Sequence, residues 1–218
     1  MHAAHQTAAF RSFRNLRPLT RVLVCVCGVV WIVCAVAPND RLTWALEQVA
    51  TVIVVVCLIG VRSVRLSDLS LIGLAVLFVA HTTGTHFTYS ATPYDPVLQW
   101  LTGHSLNDAL GWDRNHYDRL VHLLWGLCLT LPMQEFCVQR LRLRAFAAYH
   151  LSLHLVLSTS AIYELLEWSA AVVFGEGGTE YLGTQGDVWD AQADIAISII
   201  GWAIVAAASL ARHQVRGR

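Results

Sequence analysis

Tyr117-Asp118-Arg119-Leu120-Val121-His122-Leu123-Leu124-Trp125-Gly126-Leu127-Cys128-Leu129-Thr130-Leu131-Pro132 opens with an acid, an arginine and a histidine and then runs mostly apolar to Val138, broken by Gln134 and Glu135. A helix needs about 20 mostly apolar residues to cross the hydrocarbon layer of a bilayer. Residues 117–138 meet that length, so the stretch is predicted to span a membrane and to carry its charges into it. Five more stretches of the same kind lie around it: 22–37, 44–61, 69–87, 147–174 and 191–211. The chain is therefore predicted to be all-α, a polytopic membrane bundle of about six transmembrane helices. Composition agrees: 56% of residues are hydrophobic and 14% charged, far from a soluble domain. No segment remains for a separate soluble domain, and the expected surroundings are membrane lipids, with no nucleic acid.

Residues 1–21 form a polar tail with four arginines and no acid, ahead of the first apolar run. Ala35-Val36-Ala37 resembles a signal-peptidase site, but Pro38 follows the scissile bond, so residues 22–37 are read as a retained span. The transmembrane domain covers 22–211, with outer loops at 89–116 and 175–190 and a short tail at 212–218. An amphipathic helix is expected at 97–110 in the first loop. All fifteen basic residues are arginine, and twelve lie in the N-terminal tail, after spans two and four, and in the C-terminal tail. The excess of basic residues on cytoplasmic loops places those segments inside, giving an N-in/C-in topology in a bacterial cytoplasmic (inner) membrane.

Polar residues concentrate between Gly111 and Asp194. Asp118 and His122 are four apart, Glu164 and Glu167 three apart, and Asp190 and Asp194 four apart, so each pair shares a helix face. At about 1.5 Å of rise per residue, His122 and Glu167 lie about 10 Å below the outer mouths of their spans and Asp194 about 6 Å. Asp113, Asp118, Glu164, Glu167, Asp187, Asp190 and Asp194 outnumber Arg114 and Arg119. An ionised group in lipid costs several kcal/mol unless paired or hydrated, so this excess calls for another partner. Three readings stay open: a divalent metal held by Asp118, His122, Glu164, Glu167, Asp190 and Asp194, an arginine-carboxylate network that locks the helices, and a proton or ion pathway. His81 lies at a similar depth.

Other residues read as structural. The six cysteines sit in apolar spans without CxxC spacing and are expected to pack as free thiols. His150 and His154 lie too far along their span to join the site. Glu135 is expected to pair with Arg140 or Arg142. Trp44, Trp100, Trp112, Trp168 and Trp189 fit an outer aromatic belt. Gly177, Gly178, Gly183 and Gly186 are expected to turn the second loop inward.

His81 to Tyr89, Arg114-Asn115-His116-Tyr117-Asp118-Arg119 with His122, Glu164 to Trp168, and Gly183-Thr184-Gln185-Gly186-Asp187 with Trp189-Asp190 together resemble the YjdF-like bacterial inner-membrane proteins. The likeness covers roughly residues 78–202. It implies a polytopic inner-membrane protein with a shared polar site and names no reaction. Where that family has Pro-x-Arg-Glu near the end of span four, this chain has Gln134 before Glu135. A shorter likeness, Asp118-Arg119-Leu120-Val121-His122, is similar to VanZ-like proteins and implies cell-envelope or lipid chemistry.

The candidate catalytic residues are His122, Glu164, Glu167 and Asp118. Arg114, Arg119, Asn115, Tyr117, His81, His86, Gln185 and Asp187 are candidates for binding. As an enzyme, the chain would use a divalent metal for hydrolysis or transfer on a lipid or cell-envelope precursor. As a proton- or ion-coupled transporter it would protonate a glutamate, and as a non-catalytic protein its charges would fix helix packing. No HExxH, GxSxG or Walker motif favours the first reading, and no inverted repeat favours the second. The arginine asymmetry yields a direct expectation. Reporter fusions after Asn107 and Gly178 should read as outside, and fusions after Arg142 and Arg218 as cytoplasmic; an outside signal at Arg142 would overturn the six-span topology.

Overall fold

Pro18 begins the first helix, where its missing N–H is no loss. A computed structural model describes residues 16–60, 63–174 and 184–216, and the described chain contains helices and no strand. The helices are α1 Pro18–Ala35, α2 Arg41–Gly60, α3 Asp68–Phe87, α4 Tyr94–Thr102, α5 Leu106–Leu110, α6 Tyr117–Arg140, α7 Ala145–Phe174 and α8 Asp190–Arg216. Six of them, α1, α2, α3, α6, α7 and α8, are long and apolar enough to cross a membrane. Expectations for Arg11, Arg14, Arg62, Gly177, Gly178, Gly183 and Arg218 concern residues outside those described.

The amphipathic helix expected at 97–110 is two shorter helices. Gly103 takes φ 78° and ends α4, and Ser105 caps α5 by accepting from the Asp108 N–H. The Asp95 carboxylate reaches across and accepts from the N–H groups of Leu106 and Asn107 at 2.6 and 3.0 Å. A chain reversal with local side-chain acceptors thus replaces the continuous helix that the apolar spacing suggested.

α6 is the hub, packed by α3, α7 and α8, while α1 lies on α3 and α2 touches the bundle lightly. The polarity of the spans is fixed by ties at both ends. At one end Arg17 pairs with Asp68 at 2.7 Å, and the Arg65 N–H donates to Gln139 Oε1 at 2.8 Å. At the other the Asn39 N–H donates to the His86 carbonyl at 2.9 Å, and the Tyr117 hydroxyl donates to the Ala80 carbonyl at 2.9 Å. Consecutive spans therefore run up and down. Glu135 departs from expectation: its carboxylate accepts from the Ser67 N–H at 3.0 and 3.2 Å. It thus meets a donor at the positive N-terminus of α3 instead of an arginine.

α6 and α8 cross at Gly126 and Gly201. A Cβ at Gly126 would lie 1.9 Å from the Ser198 carbonyl oxygen, and one at Gly201 would lie 2.5 Å from that of Leu123. Backbone meets backbone here, as small residues permit within membranes. The approach carries Ser198 to His122, whose carbonyl accepts from the Ser198 hydroxyl at 3.0 Å. Gly126→Val must push the helices apart, because the obstacle is main chain that cannot rotate away. A loss of about 1–3 kcal/mol or more is expected, read as a lower midpoint of thermal unfolding in detergent; an unchanged midpoint would contradict the crossing.

Candidate functional site

Arg114 and Arg119 lie just before and within the first turn of α6, and α8 begins opposite them at Asp190. The Arg119 guanidinium donates to the Asp190 carbonyl at 2.9 Å, to Asp190 Oδ1 at 2.7 Å and to Asp187 Oδ2 at 3.0 Å, and it pairs with Asp194 Oδ2. Arg114 donates to Asp190 Oδ1 at 2.9 Å, to Asp187 Oδ2 at 3.3 Å and to the Thr184 carbonyl at 3.1 Å. Five N–H donors in a rigid fork suit such a shared arrangement. The loop before α8 is also clamped: Gln185 Oε1 accepts from the Asn115 N–H at 2.9 Å, and Gln185 Nε2 donates to the Asn115 carbonyl at 2.8 Å. Gly186, at φ 88°, makes the turn expected of it. Asp187 lies outside the spans, and its carboxyl is held below the ordinary carboxylate range by the Trp189 N–H and then by Arg119 and Arg114. A depressed pKa stabilises the fold above the unfolded value, so this clamp holds at neutral pH and is lost only as pH falls below that range.

One turn deeper, His122 is 3% exposed and faces two different surroundings. Its Nδ1 lies 3.4 Å from both Ser160 Oγ and Ser198 Oγ. Its Nε2 lies 3.0 Å from Glu164 Oε1 and 3.7 Å from Asp118 Oδ1. The Ser198 hydroxyl spends its hydrogen on the His122 carbonyl, and Ser160 Oγ is nearer to Ser198 Oγ, at 3.1 Å, than to the ring. The serine pair therefore offers lone pairs to Nδ1. That partner set favours a hydrogen on Nδ1 and leaves Nε2 facing the carboxylates, with a lone pair in the neutral ring and an N–H in the imidazolium. Two lone pairs 3.0 Å apart repel, so the Nε2 to Glu164 contact needs a proton or a cation between them.

Asp118, His122 and Asp194 are all buried, and one ligand atom from each lies within 4.8 Å of the others. Asp194 Oδ1 has no hydrogen-bond partner among the described residues. Ligands about 2.1 Å from one ion sit roughly 3–4 Å apart, so a small closing of these side chains completes three positions. Beside them, Glu164 and Glu167 help line a cleft of about 370 Å³ with Trp168, Asp187 and Asp190. That volume is within the range of small-ligand sites.

Of the residues singled out from the sequence, Asp118, His122, Glu164 and Asp194 converge, and Glu167 lies along the same cleft wall. Asp190 is directed to the arginines. His81 enters from α3 and lines a small cavity with Asp118 and His122. His86 is elsewhere, facing the Cys34 carbonyl at 3.0 Å. Asp113 is exposed, and Asn115 and Tyr117 bind backbone carbonyls at Thr92 and Ala80. His150 and His154 face each other at 3.3 Å on an exposed stretch of α7, and the cysteines are free thiols. Sequence reading missed Ser160 and Ser198, and it missed Glu47, a lone acid inside the second span that is 1% exposed and bonded to Tyr163 at 2.6 Å. An isolated acid in an apolar span was the available signal.

The arginine fork can be tested apart from the histidine. Arg119→Met leaves Asp190 and Asp194 buried without their main cation, which should cost about 3–5 kcal/mol. Adding Asp190→Asn and Asp194→Asn should restore most of the unfolding midpoint; no recovery would mean that Arg119 does more than neutralise them.

A family model described as Predicted membrane protein (DUF2238) matches residues 19–216. The chain is 32% identical over 207 residues to the Inner membrane protein YjdF of Escherichia coli (strain K12), covering 93% of this chain and 94% of that one. No solved structure matches. Six membrane-crossing helices and an inner-membrane relative make this a multi-pass inner-membrane protein. With the match running from the second residue of α1 to the last residue of α8, the chain belongs to the DUF2238 family of predicted membrane proteins.

Proposed function

We propose that this chain is a membrane-embedded enzyme whose Asp118, His122 and Asp194 hold a divalent cation, with hydrolysis or group transfer on a lipid or cell-envelope precursor as its reaction. The observation that carries the proposal is the His122 contact. A ring nitrogen whose hydrogen is assigned to the far side faces Glu164 at 3.0 Å amid buried acids. Asp187, Asp190 and Asp194 share two arginines, whereas Asp118, Glu164, Glu167 and Glu47 have only imidazoles, His122 and His81, as their nearby basic groups among the described residues. A cation relieves that imbalance, and carboxylate with imidazole suits hard or borderline metals.

The adjoining cleft gives such a centre a place to act. A divalent ion there would polarise a phosphoryl or acyl oxygen, and Glu164, between the ion site and the cleft, is positioned to accept a proton from attacking water. Trp168 and Val188 at the cleft are exposed apolar side chains that suit an amphiphilic substrate. In this reading the site end of the bundle faces outward, as the arginine asymmetry suggests. The arginine fork anchors the loop and α8 and does not compete for the cation, except through one oxygen of Asp194.

Metal analysis of the detergent-purified chain tests the reading. Wild type reconstituted with Zn²⁺, Mn²⁺ or Mg²⁺ and then desalted should retain about one ion per chain, while Asp118→Ala should retain at least tenfold less. Retention should also fall with acidification, because the ligands must be deprotonated to bind. Equal retention by wild type and Asp118→Ala, or none by either, would overturn the proposal.

A further inference from the structure

Glu47 lies on α2, a helix that turns most of its surface away from the bundle, yet its side chain is buried against α7. The Tyr163 hydroxyl donates to Glu47 Oε2 at 2.6 Å. The ring of Tyr163 stands edge-on to His122, with centroids 5.8 Å apart. Tyr163, Asp118, His122, His81 and Tyr89 all line a cavity of about 10 Å³, close to the room one water molecule requires. Tyr163 therefore touches the cavity on one side and Glu47 on the other.

The opposite wall is built with similar care for polar contacts. The Tyr89 hydroxyl meets His81 Nδ1 at 2.6 Å, and His81 Nε2 meets Thr51 Oγ1 at 3.2 Å. Tyr89 reaches this position because the chain reverses at the end of α3 through Thr88 and Tyr89, both with left-handed φ, 62° and 46°. Gly84 makes room beneath it: a Cβ there would lie 2.9 Å from the Tyr89 ring. Two successive non-glycine residues in that region are costly and persist where the surroundings fix them. Tyr163 of α7 bonds Glu47 directly, and the other titratable groups within electrostatic reach of it are His81 and Tyr89 from the α3 side, Asp118 and His122 from α6, and Glu164 and Glu167 from α7.

We propose that Glu47 is a proton store for this site, exchanging one proton with the Asp118–His122 cavity through the Tyr163 hydroxyl. A proton leaving a cavity water bonds to the Tyr163 oxygen as the hydrogen already on Tyr163 passes to Glu47 Oε2. Each O–H bond formed is matched by one broken, no electron is transferred, and the net change is one proton moved from cavity to carboxylate. The reverse shift returns it. This role rests on the Asp118–His122 centre being reactive, and it supplies that centre with a proton acceptor that does not occupy the cleft.

A purely structural Glu47 would serve only to pin α2 through Tyr163, and Glu47→Gln keeps an acceptor oxygen for that bond. The discriminating measurement is pH-dependent infrared difference spectroscopy of the full-length chain in lipid nanodiscs, with a chelator present so that no metal contributes. Wild type should show the carbonyl stretch of a buried protonated carboxylic acid, and Glu47→Gln should lose it while keeping the wild-type unfolding midpoint. Tyr163→Phe should keep the band at a shifted frequency, because the hydrogen bond is gone, and should slow its hydrogen–deuterium exchange at least tenfold. A band unchanged in Glu47→Gln, or a Tyr163→Phe band unchanged in frequency and exchange, would overturn the proposal. Should Glu47→Gln not fold, the Tyr163→Phe comparison decides alone. Because no metal is used, failure of metal retention with the Glu47 band intact would sink the cation reading and leave the proton store standing.

Discussion

Burying carboxylates within an apolar bundle is the constraint on which this structure depends. The cost is met in two different ways on two adjacent turns of α6. At the first turn Arg119 divides its donors among Asp187, Asp190 and Asp194 and the Asp190 carbonyl, so that one cation serves three acids and one helix terminus. One turn deeper there is no arginine, and Asp118 and Glu164 converge on His122, a group whose charge can change. The first arrangement is static because guanidinium does not deprotonate in proteins. The second rests on an imidazole, which unlike guanidinium can gain or lose its charge near neutral pH.

Both arrangements require α6 and α8 to lie unusually close. Gly126 and Gly201 let the two backbones meet, and the meeting sets Ser198 beside His122 and Asp194 beside Arg119. Helix packing in lipid gains little from the hydrophobic effect between helices, so close van der Waals contact and buried polar bonds carry the association. The glycines supply the first and the ion pairs the second. α1 and α2, by contrast, keep largely exposed apolar surfaces, as helices bordering lipid should.

The spans and the polar layer were legible in the sequence because both are written in length and spacing. Residues four apart share a face, and Asp118 with His122 shows it. His81 and His86 show where grouping by proximity alone fails. Five residues turn a helix by about 140° beyond a full revolution, so one imidazole faces the cavity and the other the Cys34 carbonyl. Asp190 could be placed at the right depth but not given to the arginines, because that choice depends on how the loop before α8 folds back. Ser160 and Ser198 carried no signal at all, since serine in an apolar helix usually bonds its own backbone. Sequence proximity gives Glu135 to Arg140 or Arg142, whereas in space its carboxylate meets the N–H of Ser67, the residue that caps α3.

The clamp between Asn115 and Gln185, together with the two arginines, ties the loop before α8 to the top of α6. Displacing that loop would break buried ion pairs and amide hydrogen bonds at once, so the side of the cleft marked by the exposed Trp168 of α7 is the less obstructed approach. In the proposed reading, an amphiphilic substrate would arrive there from the bilayer. Its encounter with the site is then a search in two dimensions, and occupancy follows its mole fraction among the surrounding lipids. Diluting the aqueous phase would leave such occupancy unchanged, whereas diluting the membrane with inert lipid would lower it.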